Sequence, residues 1–235
     1  MSDLHGCYSQ YKKMLELINF DDGDQLYILG DIVDRGPKPI SIIMDILERK
    51  NITVLLGNHE MYAREVLKET NSYIDEISEE FYSKEIRNKY FIWQVNGGGS
   101  TFDEFYPLSI KEQKRVVEFL ENLPYYIDVE VNGKSFSLVH AGINNYTTDE
   151  NRELLEAKDF VLQSPTSFES PPFIGEDRYL VFGHTPTFRI ADSKAKPGNI
   201  FIKNNYIGID CGAVFSSCSG WLGCLRLNDM KEFYI

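Results

Sequence analysis

All four histidines of the chain stand in short polar segments that follow an apolar strand or lie where one is expected. The segments are SDLHG with Asp3 and His5, GDIVDRG with Asp31, Asp34 and Arg35, GNHE with Asn58, His59 and Glu60, VHAG with His140, and FGHT with His184. A lone aspartate at such a place usually caps the next helix, and a lone histidine usually makes a structural hydrogen bond. Independent caps have no reason to gather every histidine or to recur at each strand end. Carboxylate and imidazole are ligands for manganese, iron or zinc, and one carboxylate can bridge two ions roughly 3.5 to 4 Å apart. Two such ions can hold a hydroxide and clamp a phosphate oxygen. An arginine fork matches phosphate through paired hydrogen bonds, which lysine cannot do. In GDIVDRG the first aspartate is therefore expected to bridge metals, the second to orient a proton donor, and Arg35 to hold a phosphate.

Elements must bring these segments together. Residues 9–18, SQYKKMLELI, set Tyr11, Met14, Leu15 and Ile18 at helical spacing, and QLYILG then reads as a short buried strand. PISIIMDILERK is helical through Ile42, Ile43, Ile46 and Leu47, and ITVLLGNHE is a second strand. This alternation favours a sheet with helices packed on it and polar groups gathered where strands end. Helix is expected over 60–90, and WQVNGGGSTF is expected to be a loop with unusual backbone angles. Ser109 and Glu112 form a capping box ahead of the helical IKEQKRVVEFLENL. YYIDVEV, Asn132-Gly133 and KSFSLVHAG predict a hairpin, because Asn-Gly supplies the positive φ angles of a two-residue turn. Residues 144–178, polar and proline-rich, are expected to form a helix and a long surface loop, and the remainder is mostly strand. With no evident boundary, 1–235 reads as one domain.

Hydrophobic residues at 43% and charged residues at 26% suit a globular protein with a full core. A net charge of −12 repels nucleic acid and anionic membranes, so an anionic substrate must meet a local positive site. The sequence has no apolar run of membrane-spanning length and no basic-then-apolar leader, so a cytoplasmic protein is expected. Cys7, Cys211, Cys218 and Cys224 do not make a disulfide framework, nor does a nearby histidine complete a zinc set among the last three, so reduced structural thiols are expected.

GDIVDRG paired with GNHE, and with SDLHG, VHAG and FGHT in the same order, resembles the calcineurin-like metallophosphoesterases. The resemblance is to the PPP-type serine/threonine phosphatases and the related symmetrical diadenosine tetraphosphatases, and it runs from Ser2 to about Gly212. WQVNGGGST, and IDCGAVF through LRLNDMKEFYI, resemble the bacterial branch of that group. The resemblance implies an α/β (α+β layered) fold, two mixed β-sheets packed as a sandwich flanked by α-helices. It implies two divalent ions, manganese first with iron or zinc as alternatives. Asp3 and His5 would bind the first ion, Asp31 would bridge, and Asn58, His140 and His184 would complete the second. His59 would protonate the leaving oxygen, paired with Asp34, and Arg35 would bind phosphate.

Two departures stand out. The resemblance implies a strand before DLHG, where this sequence offers Met1 and Ser2, and a second phosphate-binding arginine, where DFVLQSPTSF offers Ser164. Arg152, Arg178 and Arg189 are the candidates to replace it. The expected activity is hydrolysis of phosphate monoesters, phosphoserine or phosphothreonine in proteins first. A dinucleoside tetraphosphate is the alternative substrate. A catalytically silent metal-binding protein would be favoured by loss of a ligand, and none is lost.

Overall fold

The computed structural model describes residues 1–71, 84–142, 162, 164–165, 167–173, 177–190, 198–218 and 220–235. Helix α1, Tyr8–Leu17, buries Tyr11, Met14 and Leu15 along one stripe. Helix α2, Pro39–Leu47, starts with proline, which has no N–H to leave unpaired in the first turn, and buries Ile40, Ile42, Ile43 and Ile46. It crosses between β1, Leu26–Ile28, and β2, Ile52–Val54, which pair in parallel with Leu26 opposite Ile52. On the other side of β1 the Met1 amino group donates to Tyr27 O at 3.1 Å, Leu29 N donates to Met1 O at 3.0 Å, and Asp3 N to Gly30 O at 3.1 Å. Residues 1–3 thus occupy the place of the strand expected before DLHG.

Helices α3, Asn58–Asn71, and α4, Lys84–Trp93, realise the helical expectation after Glu60, and the span between them lies outside the described residues. WQVNGGGSTF departs from the expected loop. It forms one wide helical turn, Gln94–Gly98, that runs into α5, Gly99–Phe105. Only Gly97 has a positive φ, 105°, while a Cβ at Gly98 would sit 2.5 Å from the Trp93 ring. That glycine is set by a close packing contact rather than by its backbone angles. Helix α6, Ile110–Glu121, opens on the Ser109 and Glu112 capping box.

Strands β3, Tyr126–Val131, and β4, Lys134–Val139, form the hairpin, with Asn132 and Gly133 at φ of 52° and 75°. Strands β5, Arg178–Phe182, β6, Phe201–Lys203, and β7, Tyr206–Gly208, complete a mixed sheet in the order β3-β4-β5-β7-β6. A closing hairpin joins β8, Gly223–Arg226, to β9, Lys231–Tyr234. Leu29 and Leu55 from the first sheet pack against Phe136, Leu138, Val181 and Ile207 from the second, so the sheets face each other as a sandwich. Burying each such side chain contributes about 1.5 to 3 kcal/mol. A second cluster joins α1, α2, α3 and α6 and extends to Leu180, Phe182, Phe201 and Tyr206 of the larger sheet.

Most of 144–178 lies outside the described residues, although Phe168 and Phe173 are buried. Among the described residues no helix is long and apolar enough to cross a membrane. Cys7, Cys211 and Cys224 are free and buried. Strands β1, β2, β4 and β5 all end at one side of the sandwich, just before Asp31, Asn58, His140 and His184 respectively.

Candidate metal centre

Six of the nine candidate residues have left-handed backbone angles: Asp3, His5, Asp31, Asp34, Arg35 and His184. Such angles are costly for residues with a side chain and persist only where the surroundings enforce them. Asp31, Asp34 and Arg35 lie in the turn that follows β1, and His184 lies in the turn that follows β5.

Backbone carbonyls fix the imidazoles. His5 Nδ1 donates to Val33 O at 2.9 Å and His140 Nδ1 to Leu29 O at 2.6 Å, so both Nε2 lone pairs face inward. His140 Nε2 lies 3.4 Å from Asp31 Oδ1, and His5 Nε2 lies 3.6 Å from Asp31 Oδ2. Asn58 Oδ1 sits 3.1 Å from His140 Nε2 and 2.9 Å from His184 Nδ1, and those two nitrogens are 3.2 Å apart. Among the described residues two groups of donor atoms result, His5 with Asp31 and His59, and Asp31 with His140 and His184, each within 4.8 Å. Asp31 belongs to both. Asp3 belongs to neither, since its Oδ2 accepts from His184 N at 3.0 Å and from the Ser2 hydroxyl.

Burial pushes the Asp31 carboxyl well above the usual carboxylate range, and the Asp3 and Glu60 charges add to it. Burial, then the charge of His59, holds His5 well below the ordinary imidazole value, and burial lowers His184 to about 3. Neutral imidazoles, an amide oxygen and a desolvated carboxylate converge with their acceptor atoms facing one another. That is the donor set of a divalent cation, and the residues fit one in each group.

Around this cluster lie a proton-carrying pair and a guanidinium. His59 Nδ1 donates to Asp34 Oδ2 at 2.7 Å. Burial alone would lower the His59 pKa, but Asp31 and Asp34 outweigh it and raise it. Arg35, exposed at the mouth, donates from Nη1 to His5 Nε2 at 2.7 Å, and its Nη2 lies 2.8 Å from His59 Nε2.

Sequence reasoning gave no role to three buried residues. Glu60 accepts from Asp31 N, Ile32 N, Val33 N and Gly57 N at 2.7, 2.8, 3.1 and 3.0 Å, so it holds the Asp31 turn. Thr101 and Trp93 both donate to Asp34. Glu60 was visible as the last residue of GNHE, while Trp93 and Thr101 lay at the two ends of WQVNGGGST without a stated purpose.

The sequence profile of the calcineurin-like phosphoesterases matches residues 1–205. The chain belongs to that family. Over a 63-residue stretch it is 46% identical to the symmetrical bis(5'-nucleosyl)-tetraphosphatase of Wigglesworthia glossinidia brevipalpis, a match covering 26% of this chain and 23% of that protein. It is 26% identical to the asymmetrical bis(5'-nucleosyl)-tetraphosphatase of Bacillus subtilis over 92% of this chain and 86% of that one. A crystal structure provisionally named a diadenosine tetraphosphatase superposes with a TM-score of 0.61 at 18% identity, covering 100% of this chain and 90% of its own. That last likeness shows the calcineurin-like fold.

Within the family pattern the second arginine has no counterpart among the described residues near His184. Arg178 pairs with Asp128 Oδ2 at 3.0 Å at the start of β5, the end away from His184. Arg189 lies over the Phe215 ring at 5.8 Å, and Arg152 is outside the described residues. Ser164 Oγ is 2.7 Å from Thr185 Oγ1, one residue past His184.

Proposed function

We propose that this chain is a two-metal phosphoesterase and that 1–235 acts as one catalytic domain. The observation that carries the reading is Asp31, whose Oδ1 faces His140 while its Oδ2 faces His5, the arrangement of a bridging ligand. His5 and Asp3 would hold one divalent cation and Asn58, His140 and His184 the other, with Asp31 shared. Manganese is the first expectation, because the donors are nitrogen and oxygen without thiolate. When bound, such ions neutralise phosphate charge and lower the pKa of water so that a nucleophile exists at neutral pH. Arg35 would hold a phosphate oxygen pair through its planar fork. His59, oriented by Asp34, would give a proton from Nε2 to the leaving oxygen.

Dinucleoside tetraphosphates become the leading substrate class. Relatives named for that hydrolysis match along 85% and 86% of their length, which outweighs the sequence expectation of phosphoserine or phosphothreonine first. The phosphomonoester is the second reading, favoured by Arg35 as the guanidinium that faces the cluster.

Purified protein should bind about two equivalents of manganese and lose phosphate release on chelation. Turnover of p-nitrophenyl phosphate at an undiminished rate by protein verified free of metal would end the two-metal reading.

A further inference from the structure

Asp34 is wholly buried, and every donor that reaches its carboxylate comes from a place the proposed chemistry explains except two. Trp93 Nε1 donates to Oδ2 at 2.9 Å and Oδ1 at 3.0 Å, and the Thr101 hydroxyl donates to Oδ1 at 2.6 Å. Thr101 also grips the backbone, since its Oγ1 accepts from Asp34 N at 2.8 Å. Trp93 is itself fully buried and has a single N–H, whose partner is this carboxylate. Asp34 sits at a φ of 69°, an angle an aspartate keeps only when its neighbours enforce it.

The run from Trp93 to Thr101 is shaped for this purpose. Its wide turn brings two donors eight positions apart in sequence onto one carboxylate, and Gly98 leaves the space in which the indole lies. Gly97 O accepts Arg35 N at 2.9 Å, so the same turn fixes the neighbour of Asp34.

We propose that Trp93 and Thr101 are positioning residues for proton donation, holding Asp34 so that His59 presents Nε2 to the leaving oxygen. The proposal rests on the phosphoesterase reading. As a water oxygen bonds to phosphorus, the ester P–O bond breaks, its electron pair goes to the leaving oxygen and the His59 Nε2 proton joins that oxygen. Nδ1 stays bonded to Asp34 throughout. A carboxylate free to rotate would let the ring tilt, and the loss would fall on substrates whose leaving group needs the proton.

Thr101→Val is isosteric and removes the hydroxyl, while Trp93→Phe removes the indole N–H together with some volume from a buried site. Manganese-loaded protein is assayed on phenyl phosphate, whose leaving group needs protonation, and on p-nitrophenyl phosphate, whose leaving group does not. Each variant should shift the ratio of kcat/KM values against phenyl phosphate by roughly tenfold or more, in the direction of His59→Asn but less far. Thr101→Ser, which keeps the hydroxyl, should restore the wild-type ratio. Equal losses on both esters would mean that the two residues only support the fold, and would overturn the proposal. Wild-type protein inactive on both esters would overturn the proposal, and inactivity on diadenosine tetraphosphate as well would remove the phosphoesterase reading with it. Should Trp93→Phe fail to fold, Thr101→Val decides by the same ratio.

Discussion

Arg35 Nη1 donates to His5 Nε2 across 2.7 Å, placing a guanidinium against the lone pair that a cation would take. The same arginine reaches His59 Nε2 at 2.8 Å, so one positive group bridges the imidazoles where the acceptor cluster opens to solvent. A divalent ion at His5 must displace it. Displaced in that way, its fork would be free to take a phosphate. Arg35→Ala should therefore bind manganese as tightly as the wild type or more so, while kcat/KM on p-nitrophenyl phosphate falls by roughly 100- to 1,000-fold, the usual loss for a donor to developing phosphate charge. Calorimetric titration with manganese and steady-state kinetics check the two halves. Metal affinity weakened along with activity would place Arg35 in support of the metal site instead.

Asp31 and His59 lie 4.0 Å apart yet should fail in different ways. Asp31→Asn removes the charge shared by both donor groups, so metal content should fall. His59→Asn should keep metal content near normal and slow turnover by roughly 100- to 10,000-fold, the range for a lost general acid. Elemental analysis of both variants decides the matter. Equal metal loss in the two would refute this division of roles, and His59 would then count as a ligand beside His5 and Asp31.

The strand ends were legible because their chemistry is local. GDIVDRG and GNHE carry the proposed ligand, fork and acid within a few residues, and the hairpin at Asn132-Gly133 declares its turn type. What stayed hidden depends on contacts distant in sequence. Thr101 meets Asp34 across 67 positions and Trp93 across 59, and nothing near either residue announces the partner. The glycines of WQVNGGGST suggested unusual backbone angles, whereas Gly98 is helical and is required by the Trp93 ring. Asp210 was missed likewise: it is buried, and burial followed by the Asp3 charge pushes its carboxyl well above the usual range, although IDCG alone reads as a strand end.

Glu60 offers a test of stability. Its Oε2 takes Asp31 N and Gly57 N, and its Oε1 takes Ile32 N and Val33 N. Glutamine has one carbonyl, so Glu60→Gln would turn an NH2 group toward two backbone N–H donors in a site closed to water. Each buried donor left without a partner costs about 1 to 3 kcal/mol, and a loss of about 2 to 5 kcal/mol is expected. Denaturant unfolding of metal-free protein measures it, and a change below about 1 kcal/mol would show that the turn holds without the second oxygen.

His184 gives a dependence on pH. Burial, then the His140 charge, lowers it to about 3, while an unfolded imidazole titrates near 6.5. A depressed folded pKa means that the unfolded chain binds the proton more readily between those values. Stability contributed by neutral His184 is therefore present above about pH 6.5 and is lost as the pH falls, by about 1.4 kcal/mol per unit. The raised carboxyls of Asp3 and Asp31 act with the opposite sign, so the observable is a difference. In metal-free protein, the stability of wild type minus that of His184→Asn should shrink between about pH 6.5 and 4.5. A flat difference would mean that His184 takes up its proton as readily in the fold as in the unfolded chain.

Substrate choice turns on how much negative charge the site can meet. A dinucleoside tetraphosphate carries several charges, the chain is at −12 overall, and among the described residues Arg35 is the guanidinium that reaches the cluster. Taken alone, that charge balance favours a monoester. Two divalent ions change it, because together they bring four positive charges to within reach of adjacent phosphates, and a polyphosphate can span both ions and Arg35 at once. A phosphopeptide presents one phosphate and would leave the rest of its binding to residues outside the charged cluster. We therefore expect manganese-loaded protein to hydrolyse diadenosine tetraphosphate with a kcat/KM at least roughly tenfold above that for a phosphothreonine peptide, a difference of about 1.4 kcal/mol in transition-state stabilisation. Nucleotide release resolved by chromatography, beside phosphate release from the peptide at the same manganese concentration, makes the comparison direct. Faster turnover of the peptide would restore the phosphomonoester to first place, since the same metals and Arg35 would then be serving a single phosphate.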